Sequence, residues 1–87
     1  MTRTQEMATG IEQRLFDGFD EFNDFDVTVE PDAEKRDTYF CEVWAYSDDA
    51  VINDICVNAQ GTDDGEMAKD ITLELYRKIA EHRRVAK

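Results

Sequence analysis

Apolar residues recur at every fourth position near the N-terminus, at Met7, Ile11, Leu15 and Phe19. This spacing places them on one face of a helix, which we predict from Thr4 to Phe16 or slightly beyond. Gly18 is expected to cap this helix at its C-terminus, because glycine ends helices without steric cost.

Alternation of apolar and polar residues then predicts strands. Phe25 to Glu30 alternates with the period of a half-buried strand, and Pro31 is expected to end it. Residues 38–46 and 50–58 predict two further strands, because they are rich in β-branched and aromatic side chains. Between these two strands, residues 47–50 predict a tight turn.

The expected hairpin has Asp48 and Asp49 as its two loop residues. This register places Cys41 opposite Cys56, where a disulfide could form, although a cytosolic protein would normally keep two reduced thiols. We expect the bulkier face of the hairpin to form the core, because large side chains are needed to fill the space between the sheet and two helices. That face carries Phe40, Glu42, Trp44, Tyr46, Val51, Asn53, Ile55 and Val57.

A second apolar stripe, at Met67, Ile71, Leu75 and Ile79, predicts a C-terminal helix. Asp63 and Glu66 fit a capping pattern at its start. Basic residues gather near its end, where the helix dipole favours cations. The predicted fold is therefore α+β in the order α-β-β-β-α, with two helices packed on one face of a three-stranded antiparallel sheet and residues 1–87 forming a single domain.

Charge changes this picture most between Asp17 and Glu34, where eight acidic residues and no basic one are interleaved with phenylalanines. Residues 1–64 hold 17 acidic and 4 basic side chains, whereas residues 65–87 hold 4 and 6. The aromatic residues predict a folded surface of fixed charge, since a disordered acidic tail would lack them. Such a surface opposes direct binding to nucleic acid or to an anionic membrane and steers a basic partner in.

The expected partner-binding residues are the carboxylates of this segment and of the predicted turn. They are Asp17, Asp20, Glu21, Asp24, Asp26, Glu30, Asp32, Glu34, Asp48 and Asp49, with Asp54 extending the negative surface.

The sequence predicts neither a catalytic site nor a metal site nor a cofactor. The acidic runs lack the calcium-loop spacing, and the glycines do not form a phosphate-binding loop. His82, the only histidine, lies in a basic helix end, where a helix-dipole role is expected. No apolar run is long enough to span a membrane, and no secretory signal is visible, so a cytoplasmic location is expected.

The element order resembles that of double-stranded-RNA-binding domains, including Gly61 before the last helix and Ala68-Lys69 within it. That family places adjacent lysines at the start of this helix to hold phosphates. Here the positions are Asp63-Asp64-Gly65-Glu66, which would repel phosphates. The resemblance therefore implies the fold and argues against RNA binding.

Size, acidity and element order also resemble phage-encoded inhibitors of the anti-CRISPR and DNA-mimic kind. In that class, carboxylates on a folded surface stand in for phosphates. The resemblance implies a non-catalytic inhibitor that occupies a basic nucleic-acid-binding surface of a larger protein.

Two alternatives remain open from the sequence. Low lysine content and an excess of Asp over Glu, 12 against 9, suit a halophile or host protein whose acidity serves solvation. Such a protein would act through dimerisation or partner docking by its sheet. A small enzyme or ligand binder is the third hypothesis, and a pocket lined by carboxylates of raised pKa would favour it.

Overall fold

The computed structural model describes residues 2–85 as two helices and three strands. They are α1 (Arg3–Gly18), β1 (Asp24–Pro31), β2 (Tyr39–Tyr46), β3 (Asp54–Gly61) and α2 (Asp64–Val85). The strands form one antiparallel sheet in the order β1-β2-β3. α1 packs on β1, α2 packs on β3, and the two helices contact each other. The predicted α+β architecture, with both helices on one face of the sheet, is confirmed.

α1 begins one residue before the predicted start, and it ends slightly beyond Phe16, as predicted. Thr2 caps the N-terminus, since its hydroxyl accepts the N–H of Gln5 while the Gln5 side chain accepts the N–H of Thr2. At the other end, the C-cap is Phe19 in an extended conformation, and its N–H donates to the carbonyl of Leu15. The predicted Gly18 cap is therefore wrong by one residue. Gly18 is the last residue of the helix and has no left-handed backbone.

α2 begins as predicted, because the Asp63 carboxylate accepts the N–H of Glu66 at 2.8 Å. The Glu66 carboxylate accepts from the hydroxyl of Thr62. The apolar stripes of both helices are buried against the sheet and against each other. Their buried members are Met7, Ile11, Leu15, Met67, Ala68, Ile71, Leu75 and Ile79.

The phenylalanines of the acidic segment fill one end of this core. Phe19, Phe22 and Phe25 are at most 5% exposed, and the ring of Phe22 lies 5.6 Å from that of Phe19 and 5.5 Å from that of Phe25. Phe16 is 40% exposed but meets Phe25 edge-on at 5.0 Å. The segment is thus a helix end, a connection and a strand start, and its aromatic rings hold the acidic residues in place.

The hairpin of β2 and β3 differs from the predicted register. Tyr46 pairs with Asp54, whereas we expected Val51 at that position, so the pairing lies three residues further along β3. The connection spans residues 47–53 rather than a tight turn, and Ile52 within it is 1% exposed. Burial of this side chain in the core favours the longer connection.

This shift changes which face of β2 is buried, because a slip by an odd number of residues exchanges the two faces. Cys41, Val43 and Ala45 are buried under the helices, whereas the expected core residues of β2 point away from them. The prediction holds for Ile55 and Val57, and it is wrong for Phe40, Glu42, Trp44, Tyr46, Val51 and Asn53. Small residues on the central strand leave room for the long side chains of both helices.

Candidate functional site

The sheet has an open face, opposite the helices, on which cross-strand neighbours form rows. We use "open face" for the outward residues of the three strands. From one end to the other, the rows are Asp24–Tyr46–Asp54, Asp26–Trp44–Cys56, Thr28–Glu42–Asn58 and Glu30–Phe40–Gln60. The face carries five carboxylates and no basic side chain.

Aromatic side chains form a line along the central strand of this face. Phe40 is 50% exposed, Trp44 38% and Tyr46 37%. The register gives each ring an acidic neighbour on β1: Glu30 beside Phe40, Asp26 beside Trp44 and Asp24 beside Tyr46. Directly opposed residues have Cβ atoms about 4.5–5.5 Å apart, so each carboxylate lies within reach of its ring.

Glu42 lies between Phe40 and Trp44 on the outward side of β2. Its carboxylate accepts the indole N–H of Trp44 at 2.8 Å, which orients the indole ring and one carboxylate oxygen. Beside it lies a shallow depression of about 350 Å³, lined by Thr28, Glu30, Phe40, Cys41, Glu42 and Asn58. An apolar ring and two carboxylates therefore border one concavity.

At the other end of the face, Tyr46 lies among three carboxylates. Partial burial raises the pKa of its hydroxyl, and the charges of Asp26, Asp54 and Asp24 raise it further. The hydroxyl therefore stays protonated and can donate a hydrogen bond.

The structure divides the ten predicted carboxylates into groups. Asp24, Asp26 and Glu30 come together on the open face. The remaining seven lie in the connections or at a helix end: Asp17, Asp20, Glu21, Asp32, Glu34, Asp48 and Asp49.

Two of these connections meet at the Tyr46 end of the sheet. The hydroxyl of Ser47 donates to the carbonyl of Glu21 at 2.6 Å, and the N–H of Asn23 donates to the carbonyl of Tyr46 at 2.7 Å. These bonds bring the Asp20–Glu21 and Asp48–Asp49 pairs to one end of the sheet.

Asp32 and Glu34 lie at the opposite end, in the loop between β1 and β2. The Asp32 carboxylate accepts the N–H groups of Glu34 at 2.8 Å and Lys35 at 3.3 Å, and the amide of Gln60 at 2.9 Å. The hydrogen bond from Glu34 is the largest cause of its lowered pKa. Asp32 therefore fastens the loop to β3.

The sequence prediction omitted Glu42 from the binding surface and placed the aromatic line in the core. A local signal for the correct face was present in β2. Its bulky side contains Glu42, whereas Cys41, Val43 and Ala45 on the other side are all apolar. A buried glutamate without a partner is costly, which favours exposure of the bulky side.

Charge is segregated between the two layers. Residues 19–63, which form the sheet and its connections, hold 13 acidic and 2 basic side chains. By contrast, α1 holds 3 acidic and 2 basic residues, and α2 holds 5 of each. On α2, Arg77 forms ion pairs with Glu74 at 2.6 Å and Glu81 at 2.7 Å. The net negative charge of the protein therefore belongs to the sheet layer.

The two cysteines lie on opposite faces of the sheet. Cys41 pairs with Ala59 on the helix side, and Cys56 lies beside Trp44 on the open face, so the cross-strand disulfide of the predicted register is not formed. Burial raises the pKa of Cys41 to about 11. Burial, and then the charge of Glu42, raise the pKa of Cys56. Both thiols are therefore weak nucleophiles at neutral pH.

His82 has a structural contact at the end of α2. Its Nδ1 lies 3.1 Å from the carbonyl oxygen of Val51, which joins the helix end to the connection between β2 and β3. Within residues 2–85, no three His, Cys, Asp or Glu side chains are grouped as metal ligands. None of the helices described is long and apolar enough to cross a membrane.

Comparisons with protein-family models, with curated proteins and with solved structures found no significant match to this chain. The geometry of the open face is therefore the basis for a functional proposal.

Proposed function

We propose that this chain is a non-catalytic inhibitor that occupies a basic nucleic-acid-binding surface of a larger cytoplasmic protein, as anti-CRISPR and DNA-mimic proteins do. The observation that carries this proposal is the segregation of charge. An open face with five carboxylates and no basic side chain lies on the layer that holds 13 acidic and 2 basic residues.

The carboxylates are held by a folded underside, which supports a role in recognition. Phe25 and Val29 point from β1 into the core, while Asp24, Asp26 and Glu30, at alternate positions, point outward. Fixed charges need little ordering on binding, so less of the interaction energy is lost to conformational entropy. A disordered acidic segment would lose more.

Self-association through the same face is the second candidate, and the exposed aromatic line favours it. Three large apolar side chains between 37% and 50% exposed are typical of a surface that meets a partner. Each copy, however, would bring a net charge of −11 to the interface. The dimer would therefore form only where salt screens the charges.

A retention experiment with the full chain as bait distinguishes these functions. The inhibitor function predicts that a basic, nucleic-acid-handling protein is retained from host lysate at low salt and released at high salt. The retained protein must then lose its binding to DNA or RNA when the chain is added. A chain that folds only at molar salt and binds only itself would contradict the proposal.

Pairs of charge-reversal substitutions test whether the open face is the binding surface. Asp26→Lys with Glu30→Lys changes exposed positions of the open face and should weaken binding by about ten-fold or more. The matched control is Glu12→Lys with Asp70→Lys, which makes the same change in net charge on the two helices. Equal loss in both variants would show that net charge acts without the open face.

A further inference from the structure

We propose that the open face binds arginine side chains of its partner in preference to lysine side chains. This inference rests on the proposed function, because it names the chemistry that the same surface recognises. The occupant is an arginine-bearing basic segment of the partner protein.

Charge complementarity requires the occupant to be positively charged. Carboxylates lie on all three strands of the open face, and no Lys, Arg or His is among its outward residues. Charge alone would not distinguish arginine from lysine.

The aromatic line supplies that distinction. A guanidinium is planar and weakly hydrated, stacks on aromatic rings and presents a fork of N–H donors, whereas an ammonium is a compact and strongly hydrated point charge. Each exposed ring of β2 has a carboxylate beside it on β1. A guanidinium lying on the ring can therefore donate to that carboxylate at the same time.

The depression near Phe40 provides the most complete example. Glu30 and Glu42 border it from two strands, and Phe40 contributes an exposed ring. The hydrogen bond from Trp44 holds one oxygen of Glu42, so this carboxylate is oriented before a ligand arrives. Arrangements that are fixed in advance favour the ligand whose geometry matches them.

The test compares an oligoarginine with an oligolysine of equal length, titrated into the full chain by calorimetry at low salt. The arginine peptide should bind about two- to five-fold more tightly for each ring that a guanidinium covers. Phe40→Leu should reduce the ratio of the arginine-peptide affinity to the lysine-peptide affinity by the about two- to five-fold factor expected for one ring. The affinity for the lysine peptide should stay nearly constant. Trp44→Leu is a second variant, and it should reduce the ratio at least as much, because it also removes the hydrogen bond that orients Glu42.

Tyr76→Leu is the matched control, because Tyr76 is 51% exposed but lies on α2, away from the open face. The arginine-to-lysine ratio should not change in this variant. Circular dichroism of each variant shows whether it is folded.

The outcomes separate this inference from the proposed function. Equal, salt-sensitive binding of both peptides would overturn the arginine preference and leave the basic-partner function intact. If neither peptide binds, both the arginine preference and the basic-partner function are contradicted. A dimer that buries Trp44 before peptide is added would also overturn the inference, because the chain itself would then be the occupant.

Discussion

Truncation of Phe22 should remove a large part of the protein's stability. Its side chain is 5% exposed and packs against both Phe19 and Phe25. Replacing such a residue by alanine costs about 3–5 kcal/mol, because the lost transfer energy and the cavity add together. A domain of 87 residues has a total free energy of unfolding of about 4–13 kcal/mol. Phe22→Ala should therefore lose between about a quarter and all of it.

Urea unfolding measured by circular dichroism and by Trp44 fluorescence, at one fixed salt concentration, tests this estimate. With a urea slope of about 1–1.5 kcal/mol per M for a chain of this size, the midpoint should fall by about 2 M or more. Phe16→Ala is the matched control, since Phe16 is 40% exposed and should cost only about 1–2 kcal/mol. A free energy of unfolding of Phe22→Ala within about 1 kcal/mol of that of the unmodified protein would refute the structural role assigned to the cluster of Phe19, Phe22 and Phe25.

Three further predictions concern single contacts. Asp32→Ala should destabilise the protein at neutral pH. Because the folded pKa of Asp32 lies below its ordinary value of 3.8, the difference between the two proteins should disappear as acidity rises through that lowered pKa, and pH-dependent urea titrations would show this. A thiol reagent at mildly alkaline pH should modify half-buried Cys56 before Cys41, which is 1% exposed, and peptide mass spectrometry would show the order. Thr2→Ala should cost about 0.5–2 kcal/mol through loss of the helix cap, and an unchanged urea midpoint would contradict the capping geometry.

The elements were largely predictable because their signals are local. The four-residue spacing from Met7 to Phe19 depends only on one helical face, and the alternation from Phe25 to Glu30 depends only on one strand. The same alternation predicts that Asp26 and Glu30 face outward on β1, and Asp24, which lies just before the predicted strand, joins them as the first residue of β1.

The hairpin register could not be predicted in this way. Residues 47–50 contain no Asn-Gly or Asp-Gly pair, so nothing in the local sequence required a two-residue turn. The position of Asp54 opposite Tyr46 depends on Ile52, which is buried in the core. Contacts between distant parts of the chain thus decided which face of β2 became the open face, and so placed the aromatic line and Glu42 on it.

Segregation of charge between the layers makes the molecule electrically polar. A positively charged surface attracts the sheet layer far more strongly than the helical layer, so a molecule approaching it experiences a torque that turns the open face forward. At physiological ionic strength the field is screened over about 8 Å, which is short compared with the molecule's longest extent of 44 Å. Alignment is then confined to the last step of the encounter. In dilute salt, screening extends to about 30 Å, and molecules would be aligned while still separated by a distance comparable to their own length. Ionic strength should therefore act first on how often an encounter is correctly oriented, and so on the association rate.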